Sequence, residues 1–251
     1  MSVIPLDKIR TVFEKSTDVT QYPFSLDIIK NLSEIIFPTQ VTFFVGENGS
    51  GKSTLLKAIA EQAGFGREGG SKNINFKTSE ERTYHGTEKL ASQLVLSWRY
   101  KPTYGYFFRA ETFFNVANYI DHIAKEGGGP TSYKSYGGKS IHDQSHGEGF
   151  LSFFNHGLGK KGFFVFDEPE AALSPQRQLS LLSIIHEICK DQYSQFIIAT
   201  HSPILLAYPG ATIYSCDNGR IEQIEYTKTD HFQITKQFLL NPDQFLKHLL
   251  L

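Results

Sequence analysis

Cysteine is scarce in this chain. Cys189 and Cys216 are the only two among 251 residues, too few for a disulfide framework and lacking the paired CxxC spacing of zinc or redox sites. That usage fits a reducing, cytoplasmic setting. A surplus of charge is also missing. With 25 Lys+Arg against 26 Asp+Glu and a net charge of −1, the broad basic footprint of a dedicated nucleic-acid binder is excluded, and only a local basic groove is left open. No apolar run approaches the ~18 residues of a membrane-spanning helix. Asp7, Glu14, Asp18 and Asp27 interrupt the start of the chain, which argues against a signal peptide. Internal repeats and long heptad runs are absent, which excludes solenoids and coiled-coil arms. No G-x-S-x-G elbow occurs, so Ser145 has no hydrolase context. What remains is 40% hydrophobic residues in a chain long enough for one large α/β domain or two small ones.

Three short runs are apolar on every residue or nearly so. They are Val41–Val45 (VTFFV), Phe163–Phe166 (FFVF) and Phe196–Ala199 (FIIA). Such runs suit strands covered on both faces, as in a parallel sheet. The first leads through a glycine-rich turn into Leu55, Leu56, Ile59, Ala60 and Ala63 at helical spacing. Between the other two, Ser174-Pro175 supplies an N-cap and first-turn proline for a helix carrying Leu181, Leu182, Ile185, Ile188 and Cys189. Together these predict a βαβ unit. The stretch over about 64–140 has a different texture, rich in glycine, with one alternating segment (Leu94, Leu96, Trp98, Tyr100) and one helical pattern (Phe113, Phe114, Ala117, Ile120, Ile123). It reads as an inserted subdomain. Asp217-Asn218-Gly219 between apolar runs predicts a hairpin, and Asn241-Pro242 a short terminal helix, so that 211–251 forms a C-terminal hairpin and helix.

Gly46-Glu47-Asn48-Gly49-Ser50-Gly51-Lys52-Ser53-Thr54 fits G-x-x-x-x-G-K-[ST] between an expected strand and an expected helix. Glycines let backbone N–H groups converge on phosphate oxygens, and the helix N-terminus adds positive potential. Lys52 is expected to reach the β- and γ-phosphates, and Ser53 to hold Mg²⁺. The strand ending in Asp167-Glu168 has the Walker B pattern: Asp167 for the metal, and Glu168 to polarise the attacking water. Ala199-Thr200-His201-Ser202-Pro203 follows the third strand directly. Ligands sit at the carboxyl ends of parallel strands, so His201 is expected to touch the γ-phosphate.

Walker A, then Ser145-His146-Gly147-Glu148-Gly149, then Asp167-Glu168-Pro169-Glu170, then Thr200-His201-Ser202 resembles the motif order of ABC-type ATPase domains. Ser145 to Glu148 resemble their Ser-Gly-Gly-Gln signature. Asp-Glu-Pro-Glu, where transporter subunits usually carry Asp-Glu-Pro-Thr, leans toward the soluble SMC, RecF and OLD-like branch, and the whole chain looks like small stand-alone bacterial AAA/ABC-type ATPases. The resemblance implies a P-loop α/β fold with a mainly parallel sheet, an N-terminal β region and an inserted helical subdomain, all within one ATPase domain over 1–251. It also implies an ATP-dependent homodimer with two nucleotides sandwiched between the Walker motifs of one subunit and the signature of the other. Hydrolysis would then act on a DNA or protein effector; a nucleotide-binding subunit docking on separate membrane subunits is the alternative. Glu111 follows the strand-like Tyr106–Ala110, where the family offers a Gln to Mg²⁺, and is carried over as a metal ligand. Tyr22 has the right offset for the adenine platform, with Phe13 and Phe24 competing. His142, Asp143 and His146 could face a metal from one helix, but the signature reading explains them better.

Overall fold

The computed structural model describes residues 3–72, 86–124, 126, 133, 137–140 and 146–250. Its strands are β1 (Leu6–Thr11), β2 (Glu34–Ile36), β3 (Val41–Val45), β4 (Gly70–Ser71), β5 (Leu94–Trp98), β6 (Tyr104–Arg109), β7 (Gly162–Asp167), β8 (Gln195–Ala199), β9 (Thr212–Ser215) and β10 (Glu222–Gln223). The helices are α1 (Asp27–Lys30), α2 (Lys52–Ala63), α3 (Thr87–Ser92), α4 (Phe113–Ile123), α5 (His146–His156), α6 (Pro175–Cys189), α7 (Pro203–Leu206), α8 (Asp230–Leu240) and α9 (Pro242–Leu249). None of the described helices is long and apolar enough to cross a membrane.

A seven-stranded sheet in the order β10-β9-β3-β8-β7-β6-β4 forms the centre. The strands from β9 through β6 run parallel, while β10 and β4 pair antiparallel at the two edges. The alternation of side chains along each strand explains the apolar runs. Phe163 and Val165 of β7 join one core while Phe164 and Phe166 join the other; Ile197 and Ala199 of β8 oppose Phe196 and Ile198 in the same way. Both faces are covered, so the strand interiors are apolar, and the polar residues Gln195 and Asp167 sit at strand ends.

On one face, α4, α5 and α6 build an aromatic-rich layer. Phe108 of β6 is fully buried there, with ring centroids 5.2 Å from Phe113 and Phe150 and 5.0 Å from Phe154. Burial of one such ring contributes about 2–3 kcal/mol. On the other face, α1, α2 and α3 pack with a three-stranded antiparallel sheet in the order β2-β1-β5.

That pairing corrects the expected insert. Far from standing apart, β5 pairs with β1 and β6 is paired with β7 inside the main sheet, so residues from the 64–140 stretch complete both sheets. An alternating segment such as 94–100 tells which residues face a core, not which sheet they join. The expected hairpin at 217–219 is present, with β9 and β10 antiparallel across it, and the ends of two helices differ from expectation. Ser174 precedes α6 with Pro175 in the first turn, but its hydroxyl makes no capping bond. The 217–219 turn carries Asn218 at φ 56° and Gly219 at φ 70° and joins β9 to a β10 of only two residues. The C-terminal segment holds α8 as well as α9, and Asn241 does not cap the latter through its side chain.

Candidate functional site

Lys52 opens α2 where β3 ends, and the loop between them curls through left-handed glycines. Gly51 sits at φ +100°, and a Cβ there would meet Ile28 Cδ1 at 2.9 Å, so both backbone and space require glycine. Lys52 Nζ donates to the carbonyl oxygens of Gly46 (2.7 Å) and Glu47 (2.9 Å) and is buried. Burial lowers its pKa, while the nearby carboxylates of Glu168, Asp217 and Asp167 pull it back up. The loop is held from outside by Asp217, whose Oδ1 accepts the Glu47 N–H at 2.9 Å. The sequence reading treated Asp217 only as part of a turn; a carboxylate just past a strand end beside a P-loop was the signal missed.

β8 lies between β3 and β7, so the ends of all three strands meet at one edge. Ser53 Oγ donates to Asp167 Oδ1 at 2.8 Å. Asp167 is buried, which raises its pKa against the opposing pull of Ser53. Glu168 follows at φ 53°, a conformation costly for a residue with a side chain, and its N–H bonds to the Ala199 carbonyl at 3.0 Å. The outlier turns the Glu168 carboxylate out of the strand direction, where Oε1 lies 3.7 Å from His201 Nε2. Glu170 is a further residue sequence reasoning passed over. Its Oε1 accepts the backbone N–H of His201 at 2.6 Å, tying the turn after β7 to the turn after β8. Burial raises the Glu170 pKa.

A depression of about 280 Å³ at this edge is lined by Tyr22, Leu26, Asn48, Gly49, Gly51, Lys52, Ser53, Thr54 and Glu168. Tyr22 OH is 3.0 Å from Thr54 Oγ1 and the residue is 53% exposed. Phe13 and Phe24 instead pack edge to face on each other at 5.7 Å and against the core. Of the three aromatics, then, Tyr22 is the one beside the phosphate loop. Glu47, Asn48, Gly49 and Ser50 also line a neighbouring depression that includes Asp27 and Asp217.

Glu111 follows the end of β6, where the Ala110 N–H bonds to the Asp167 carbonyl at 3.3 Å. The Glu111 carboxylate accepts from Arg109 Nη2 at 2.7 Å and is 74% exposed, while the Arg109 side chain is wholly buried. The carboxylate assigned to Mg²⁺ in the sequence reading is thus paired with a buried guanidinium in this structure. Ser145, with His142 and Asp143, lies outside the described residues, as does the side chain of His146. No three metal-ligating side chains cluster among the described residues.

α5 begins at His146, within the segment that resembles the signature motif. A Cβ on Gly147 would collide with the Arg177 guanidinium and meet the Ala172 carbonyl at 3.0 Å. Glu148 Oε1 is 3.7 Å from Arg177 Nη2. The first turn of α5 is thereby pinned to the start of α6, and neither Gly147 nor Glu148 lines the depressions at the phosphate loop.

Comparison with known proteins gives the same frame. Residues 24–145 match a family model described as "AAA domain". Residues 120–207 match one described as "AAA domain, putative AbiEii toxin, Type IV TA system". No curated protein matches the chain. Among solved structures, "An inward-facing conformation of a putative metal-chelate type ABC transporter" is 12% identical, covering 92% of this chain and 88% of that one, with a TM-score of 0.52. The SMC head domain from Thermotoga maritima is 19% identical over 88% of this chain and 99% of that one, with a TM-score of 0.42. For cbiO1 from Clostridium perfringens, part of the ABC transporter complex cbiONQ, the figures are 18%, 98%, 98% and 0.47. Two family models described as AAA domains thus each match part of the chain, and its mostly parallel α/β core shares the fold of the ABC transporter structure at a TM-score of 0.52.

Proposed function

We propose that the chain, acting as one ATPase domain, binds ATP with Mg²⁺, pairs with a second copy around two nucleotides, and hydrolyses them to separate again. One observation carries this reading. Lys52, Ser53, Asp167, Glu168 and His201 converge at a single sheet edge, whereas Gly147 and Glu148 open α5 away from the depression there. A triphosphate held by one chain would have one helix N-terminus to neutralise it. A second copy would bring another, through Ser145, His146, Gly147 and Glu148.

The residues present fit the metal. Ser53 Oγ and the Asp167 carboxylate, 2.8 Å apart, are hard oxygen donors of the kind Mg²⁺ takes. Bound there, Mg²⁺ would neutralise charge developing on the β- and γ-phosphate oxygens. The chain's own groups do the rest. Lys52 exchanges its two carbonyl partners for phosphate oxygens, and the amides of 47–52 surround the β-phosphate. Glu168 orients the attacking water and takes its proton, while His201 donates from Nε2 to the γ-phosphate. Tyr22 offers a face to the adenine, and the Arg109-bound Glu111 takes no direct part.

Phosphate release measured with and without Mg²⁺ tests the reading. Turnover is expected only with the metal, and Glu168→Gln is expected to lower it by about 10²- to 10⁴-fold while ATP still binds. Wild-type turnover in that variant would remove Glu168 from the chemistry. The same variant loaded with ATP identifies the effector class by what it retains: DNA, a soluble protein, or the membrane subunit of a transporter such as the structural neighbour named above.

A further inference from the structure

The imidazole of His201 does not stand alone. Its Nδ1 lies 2.9 Å from Nε2 of His231, in the first turn of α8, with ring centroids 5.1 Å apart. Two nitrogens at that distance share one proton, so one ring donates and the other accepts. His201 Nε2, on the far side of the ring, is buried without a hydrogen-bond partner and faces the Glu168 carboxylate at 3.7 Å. That neighbour decides the direction. A lone pair on Nε2 would oppose a carboxylate and, in the reading above, a γ-phosphate; an N–H would be attracted to both. The proton of neutral His201 therefore belongs on Nε2, its Nδ1 accepts, and His231 Nε2–H is the donor.

We propose that His231 is a positioning residue, holding His201 in the orientation and tautomer that present Nε2–H to the γ-phosphate. The proposal rests on the assignment of His201 to the nucleotide. Several contacts fix the segment that carries His231. Tyr226 OH donates to the Pro203 carbonyl at 3.1 Å, just past His201, and Thr229 Oγ1 donates to the Tyr226 carbonyl at 2.8 Å while capping α8 at Phe232 N. Glu170 holds the His201 backbone from the other side. The ring is thus oriented by three separate elements, the turn after β7, its own turn after β8, and α8. Burial, with Lys52 and His231 nearby, lowers the His201 pKa, which favours the neutral ring.

The test pairs spectroscopy with kinetics on the full chain. In protein labelled with ¹⁵N-histidine, His201, assigned by its loss in His201→Ala, is expected to show a protonated Nε2 and a bare Nδ1. His231→Gln can still donate from its amide and is expected to keep turnover within about threefold of wild type. His231→Glu can only accept at Nδ1 and is expected to lower kcat by about 10- to 100-fold with little change in KM, the range seen when an orienting partner is lost. A protonated Nδ1 on His201 in the wild-type chain, or equal kcat in the Gln and Glu variants when His201→Ala is inactive, would overturn the role of His231. Wild-type turnover in His201→Ala would overturn the underlying nucleotide assignment instead, and the nitrogen spectra would show which of the two had failed.

Discussion

The proposed chemistry draws on two helix N-termini, those of α2 and α5, and they are built differently. At α2 every polar group is engaged with the site itself: Lys52 with the loop carbonyls, Ser53 with Asp167, and Thr54 with Tyr22. At α5 the described polar groups turn the other way, Glu148 toward Arg177, with Gly147 pressed under the same guanidinium. The first terminus forms a half-site complete within one chain. The second packs against the start of α6, and its described residues Gly147 and Glu148 line neither depression at the phosphate loop; the proposed dimer is what would bring it to a nucleotide.

The largest effect is expected at the self-contained half. Lys52→Ala removes the cation proposed to meet the phosphates, and turnover is expected to fall by at least about 10²-fold, as when a group stabilising transition-state charge is lost. ATP affinity measured by equilibrium dialysis is expected to fall with it. Unchanged binding would place the phosphates elsewhere. Ser145→Arg probes the other half and is expected to be comparably damaging to turnover, by about 10²-fold, but to leave ATP affinity of the single chain at its wild-type value. Parallel losses of affinity in both variants would erase the distinction between the two termini.

A smaller effect concerns how the second half is mounted. Phe108 joins β6 to α4 and α5 through Phe113, Phe150 and Phe154. Phe108→Ala is expected to cost about 3–5 kcal/mol in urea unfolding, the range for a large ring lost from a tight core. A loss under 1 kcal/mol would mean that α4 and α5 are held by something other than this cluster.

How much of this could be read in the sequence differs between the same two regions. β3, β7 and β8 were legible because strands covered on both faces run almost wholly apolar, and α2 because its glycine loop and helical period adjoin. The start of α5 was legible through its motif. The partnership of β5 with β1 was not, since alternation in a short segment carries no address. Nor was the capture of Glu111 by Arg109, because nothing in the residue pattern says that an arginine at a strand end will be wholly buried. The contacts of His201 with Glu170 and His231 span about thirty residues each. They depend on how turns and a C-terminal helix dock, which local chemistry does not encode. Family resemblance supplied roles for single residues; the links that orient them came only with the fold.

Dimerisation around ATP is the claim on which the comparison stands. The most direct measurement is the solution mass of Glu168→Gln by light scattering, with saturating ATP and Mg²⁺ and again without nucleotide. The account predicts twice the chain mass with ATP and the single-chain mass without it. A single-chain mass in the presence of bound ATP would contradict the account, leaving the α5 terminus without a nucleotide to serve.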